Sequence, residues 1–130
     1  MRKRAYLALP LLLVVALAIA GCGQGPGGNG GSYATPDVTM GQENFDHGSL
    51  TIAAGTTVKF IDAQSAAPHV LCIGEHGRCD ESAPGPSALI GGNSLQVAPG
   101  ETKEVTFATP GTYKIACTLH PMMSMTITVQ

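Results

Sequence analysis

At 130 residues the chain has room for one domain. Only 12% of its residues are charged, against 17 glycines and 9 prolines, a balance of tight turns and short strands rather than long surface helices. The formal net charge is −2; without Arg2, Lys3 and Arg4, which fall in a segment read below as removed, four basic residues (Lys59, Arg78, Lys103, Lys114) stand against nine acidic ones. That mild acidity argues against nucleic-acid binding.

Arg2-Lys3-Arg4 precede an apolar run from Ala5 to Ala20, which meets Gly21-Cys22. A positive start, a short apolar stretch and small residues at its end describe a secretory signal over residues 1–21. The sixteen residues of the run fall short of the roughly 20 that span a bilayer, which disfavours an uncleaved membrane anchor. Ile19-Ala20-Gly21-Cys22 resembles the lipobox of bacterial lipoproteins. The resemblance implies lipidation of Cys22 and anchoring at the outer face of the bacterial cytoplasmic membrane or in the periplasm. Residues 22–36 then form the lipidated cysteine and a linker, mostly Gly, Pro, Asn, Ser and Gln, with a coil length of about 20 Å. The folded domain is expected over 37–130.

Four cysteines are present: Cys22, Cys72, Cys79 and Cys117. If Cys22 is lipidated, three remain and cannot all pair. In an exported protein two nearby cysteines default to a disulfide, and Cys72 and Cys79, separated by a segment with Gly74 and Gly77, are candidates. Cys117 is left over, a thiol that needs either an intermolecular partner or a chemical role.

From Ser49 onward, apolar and polar residues alternate. Leu50 and Ile52 flank Thr51, Val58 and Phe60 flank Lys59, and Val105 and Phe107 flank Thr106. Tyr113, Ile115 and Cys117 share a parity, as do Met125, Ile127 and Val129. Period-two patterning buries one face of each strand. Gly55, Pro99-Gly100 and Pro110-Gly111 supply turns. The pattern predicts an all-β, Greek-key sandwich or barrel of about seven to eight strands. Residues 80–94 form the one long loop, with a short strand or turn around Ala88-Leu89-Ile90.

The chemistry concentrates in Cys117-Thr118-Leu119-His120-Pro121-Met122-Met123, between the last two predicted strands. It offers a thiolate, an imidazole and a thioether, and Pro68-His69 offers a second imidazole far upstream. One Cys, two His and a weak axial Met are the ligand set of a blue-copper site, whereas tetrahedral zinc more often takes a second Cys or another strong ligand. If His69 faces inward, so do Leu71 and Ile73, while Cys72 faces away and is a poor ligand. Met123 shares the inward parity of Met125, Ile127 and Val129. Met125 is read as core and as the fallback axial donor, His47 as a turn residue and His76 as exposed.

The run from Pro110 to Met123 resembles the C-terminal copper loop of plastocyanin-like cupredoxins, and Pro68-His69 resembles their upstream histidine. The short Cys-x2-His-x2-Met spacing is most similar to that of amicyanins. The resemblance spans about residues 38–130. It implies that His69, Cys117 and His120 are the strong copper ligands and Met123 the long axial one. The Cys72/Cys79 hairpin just after His69 and the 80–94 loop depart from the family pattern.

The function expected is single-electron transfer between a redox donor and an acceptor protein, the copper cycling between Cu(I) and Cu(II), with no enzymatic reaction. His120 is the expected exit, and Leu119, Pro121 and Met122 the candidate docking patch. A monomer is expected at this size. The alternative from another class is a surface copper-binding and delivery protein. A multicopper enzyme would need a second centre, for which only His47 and His76 remain. A metal-free adhesion module leaves Cys117 without a purpose.

Overall fold

The computed structural model describes residues 35–63 and 65–130. The secretory signal, Cys22 and all but the last two residues of the linker lie outside the described residues.

Among the described residues nine strands form: β1 (Asp37–Met40), β2 (Ser49–Ile52), β3 (Thr56–Asp62), β4 (His69–Glu75), β5 (Arg78–Cys79), β6 (Leu95–Val97), β7 (Thr102–Phe107), β8 (Gly111–Cys117) and β9 (Ser124–Val129). One sheet runs β1-β3-β7, and the other runs β2-β9-β8-β4, with β5 and β6 both pairing β4. The chain passes between the sheets repeatedly, so their inner faces share one core. Val38, Phe60 and Phe107 from the first sheet cluster with Leu71, Ile115 and Ile127 from the second. The expected β-sandwich is therefore present.

Alternation explains most of this. Val58, Phe60 and Asp62 on β3 are buried while Thr57, Lys59 and Ile61 are only partly so. Tyr113, Ile115 and Cys117 on β8, and Met125, Ile127 and Val129 on β9, line the core as their parity predicts. Gly55 and Gly100 sit at φ 86° and 77°, turning the chain where a side chain would be strained. Tyr113 stacks against Phe107 with centroids 5.4 Å apart and donates its hydroxyl to the Thr109 carbonyl at 2.7 Å.

Two features go beyond the expected pattern, while the turn in the long loop is the one expected there. β1 precedes Ser49, with Val38 and Met40 inward and the strand parallel to β3. β6 and β5 add short strands to the outer edge of β4, opposite His69–Leu71 and Gly74–Glu75 respectively. The 80–94 loop holds a single 3-10 turn at Ser87–Leu89, which buries Leu89.

The β4–β5 hairpin is closed by the Cys72–Cys79 disulfide, with Cα atoms 5.6 Å apart. Cys72 is buried although it has the opposite parity to His69 and Leu71, and its sulfur is taken up by Cys79. A two-residue turn, His76-Gly77, joins the strands with φ of 51° and 72°, the doubly left-handed geometry of a tight hairpin. Gly74 lets β5 approach, since a Cβ there would collide with the Arg78 carbonyl.

Candidate metal centre

β4 and β8 are antiparallel with Leu71 opposite Cys117, so the start of β4 and the end of β8 lie at the same end of the sheet. That register brings His69 to Cys117 across 48 residues of sequence. The Cys117 amide donates to the Met123 carbonyl at 3.1 Å and the Met123 amide to the His120 carbonyl at 2.8 Å, folding the intervening loop back over the same end. The Thr118 amide donates to Val70 at 2.8 Å and ties the loop to β4.

His69, Cys117 and His120 each present a ligand atom, all within 4.8 Å of one another. Cys117 Sγ lies 3.8 Å from His69 Nδ1 and 3.5 Å from His120 Nδ1, and the two rings are tilted at 53° with centroids 5.1 Å apart. Sulfur and nitrogen donors bound to one ion at about 2.3 and 2.0 Å, with an angle of about 120°, stand roughly 3.7 Å apart. The observed separations match, so these side chains fit a three-coordinate ion. Met123 is buried beside them at the end of the loop; Met125 lies further along β9, opposite Ile115.

Cys117 is the free cysteine among the described residues and is fully buried. His69 is also fully buried. Desolvation holds its ring below the usual imidazole range, the adjacent His120 adds to that, and Asp62 and the Gly41 backbone partly oppose it. A largely neutral ring is the form that can donate a lone pair to a metal.

His120 is only half-buried. Its ring reaches a shallow surface depression shared with Glu43, Leu119, Pro121 and Met122. Leu119 is 51% and Met122 87% exposed, so the candidate docking residues do surround the outer edge of this histidine. His47 is exposed beside Asp46, and His76 occupies the hairpin turn; both stand apart from the cluster.

One buried group was not among the residues singled out from the sequence. Asp62, 1% exposed, places Oδ2 3.8 Å from His69 Nε2. The signal was present, because Asp62 continues the inward parity of Val58 and Phe60, and an acid on a core face needs a partner.

A β-sandwich that gathers one thiolate, two imidazoles and a buried thioether at one end defines a mononuclear copper protein of the cupredoxin class. Residues 34–130 match the copper binding proteins of the plastocyanin/azurin family. Plastocyanin of Prochlorothrix hollandica is 36% identical over 105 residues, covering 76% of each chain. The chain belongs to the plastocyanin/azurin family of copper-binding proteins, and copper is its cofactor. The fold is also that of amicyanin. A Cu(I) form of one amicyanin variant matches with a TM-score of 0.55 at 23% identity, covering 74% of this chain and 82% of that one. A reduced form of another matches with a TM-score of 0.56 at 22% identity, covering 76% and 85%.

Proposed function

We propose that this chain is a type 1 copper carrier that moves single electrons between two redox proteins, its copper one that His69, Cys117, His120 and Met123 would hold. The observation that carries this reading is the position of His120, which spans from Cys117 to the surface within a single side chain. Copper, when bound, supplies the one-electron couple between Cu(I) and Cu(II). The polypeptide holds the donors on a strand end and a loop pinned by three backbone hydrogen bonds, so little rearrangement accompanies a change of charge. Burial of Cys117 and His69 excludes water, and Leu119, Pro121 and Met122 offer an apolar surface at the one half-open edge.

Anchoring through Cys22 at the outer face of the bacterial membrane belongs to the same proposal, supported by the sequence of residues 1–36. A Cys22→Ser chain should lose lipid labelling and membrane retention.

The test of function is the visible and EPR spectrum of the Cu(II)-loaded protein, followed by electron self-exchange. An intense thiolate-to-copper band, narrow copper hyperfine splitting and rapid self-exchange are expected. An ordinary copper signal without that band would remove the ligand set. A blue protein that passes its metal irreversibly to an apo-acceptor, and exchanges electrons slowly, would mark it as a delivery protein.

A further inference from the structure

We propose that Asp62 is a positioning residue for the copper centre: its carboxylate accepts a hydrogen bond from the outer ring N–H of His69, fixing the ring so that Nδ1 faces Cys117, and its negative charge lowers the reduction potential. This rests on His69 being a copper ligand.

His69 directs Nδ1 toward the Cys117 sulfur at 3.8 Å, which leaves Nε2 on the far side of the ring. Nε2 is buried and has no hydrogen-bond partner among the described residues. A buried N–H without an acceptor is costly, and metal-binding histidines usually donate their second nitrogen to a carboxylate or carbonyl. Asp62 Oδ2 is 3.8 Å from it, and neither side chain is exposed. That distance is longer than a hydrogen bond but leaves no room for an intervening water, so a small ring rotation closes it. In the loaded protein this contact is the hydrogen bond.

Asp62 is itself held firmly. The Ser65 amide donates to Oδ1 and the Ser65 hydroxyl lies within donating distance of Oδ2, each at 2.8 Å. That hydroxyl also faces the Ala67 carbonyl, so its one proton is shared between two acceptors. The backbone of Asp62 donates to Glu101 at 2.9 Å and accepts from Gly100 at 3.1 Å. A carboxylate fixed from both sides and buried beside one ligand acts on the centre through little intervening solvent. Its charge favours the more positive Cu(II) state. The competing holder of the ring is the Gly41 carbonyl, which also faces His69.

The experiment compares the wild-type protein with Asp62→Asn and Asp62→Ala, each loaded with copper. Asn keeps an acceptor and removes the charge; Ala removes both. Both variants should keep the blue band and narrow hyperfine splitting. Both should show a higher potential, equivalent to at least a tenfold loss of Cu(II) over Cu(I) affinity, or about 59 mV for one electron. Proton and nitrogen NMR of the Cu(I) form gives a second readout, whose wild-type part does not depend on whether the variants fold. A slowly exchanging His69 Nε2–H is expected in the wild type, preserved in Asp62→Asn and lost in Asp62→Ala. Potentials equal to wild type in both variants, with Nε2–H still protected in Asp62→Ala, would overturn the role and leave the Gly41 carbonyl as the holder; a wild-type Nε2 that carries no proton would overturn it outright. A wild-type protein without a blue band would instead mean that the ligand assignment itself had failed.

Discussion

Gly77 stands directly against Pro121: a Cβ built on Gly77 would lie 3.0 Å from the Pro121 Cα. The tip of the disulfide-closed hairpin thus braces the loop that carries His120. Two parts of the chain that depart from each other in character, one a covalent staple and the other a metal loop, meet at this contact.

Gly77→Ala should strain both. The residue is at φ 72°, where an L side chain is disfavoured, and the methyl group would press on backbone. A loss of about 1 kcal/mol or more is expected in denaturant unfolding, with the blue band retained and electron self-exchange slowed as the His120 edge is displaced. Self-exchange equal to wild type would show that the brace has no bearing on the exit route.

Replacing both Cys72 and Cys79 by Ala should lower stability by about 2–3 kcal/mol, the loop entropy of so short a closed segment. The copper band should persist, because Cys117 and His69 are held by the β4–β8 register and the His120 loop keeps its own backbone hydrogen bonds even where the hairpin brace is loosened. Loss of the band in a folded double variant would make the disulfide part of the metal site's support. Calorimetry and absorption on one sample distinguish the two.

Met122→Glu tests the docking patch. The side chain is 87% exposed, so stability should change by less than about 0.5 kcal/mol and the spectrum should stay as it is. Transfer to the physiological redox partner should slow, since a charge would have to be desolvated beside His120. Unchanged bimolecular kinetics would move the docking surface elsewhere.

The metal-free protein should weaken in mild acid. The His69 ring is held below the ordinary imidazole value of 6.5, chiefly by desolvation. The unfolded chain therefore takes up a proton that the native ring resists, and stability falls with pH in that window. Full stability is expected above about pH 6.5, with progressive loss as pH drops through the native ring's lower value. Urea midpoints of the apo-protein between about pH 7.5 and pH 5 would measure this. A midpoint that stays flat, or that drops equally in a folded His69→Gln variant, would contradict it.

Much of the sandwich was legible because alternation is a local property. Leu50/Ile52, Val105/Phe107 and the β8 and β9 parities each declare a buried face within a few residues. β5 and β6 were not legible, since strands of two or three residues carry too few alternations to stand out from a loop. The disulfide between Cys72 and Cys79 and the hairpin it closes were foreseeable from proximity in sequence, but the place of the turn at His76-Gly77 was not.

The sequence by itself determined the donor chemistry: Cys117, His120 and Met123 lie so close along the chain that any fold placing this loop between two antiparallel strands keeps them together. Only the tertiary structure decided what meets them. His69 reaches Cys117 through a strand register that pairs Leu71 with Cys117, Asp62 reaches His69 across the core, and Gly77 reaches Pro121 across the surface. Periodicity tells which face of a strand is buried, but not which strand lies beside it. Lateral pairing and register are set by non-local packing of the whole core.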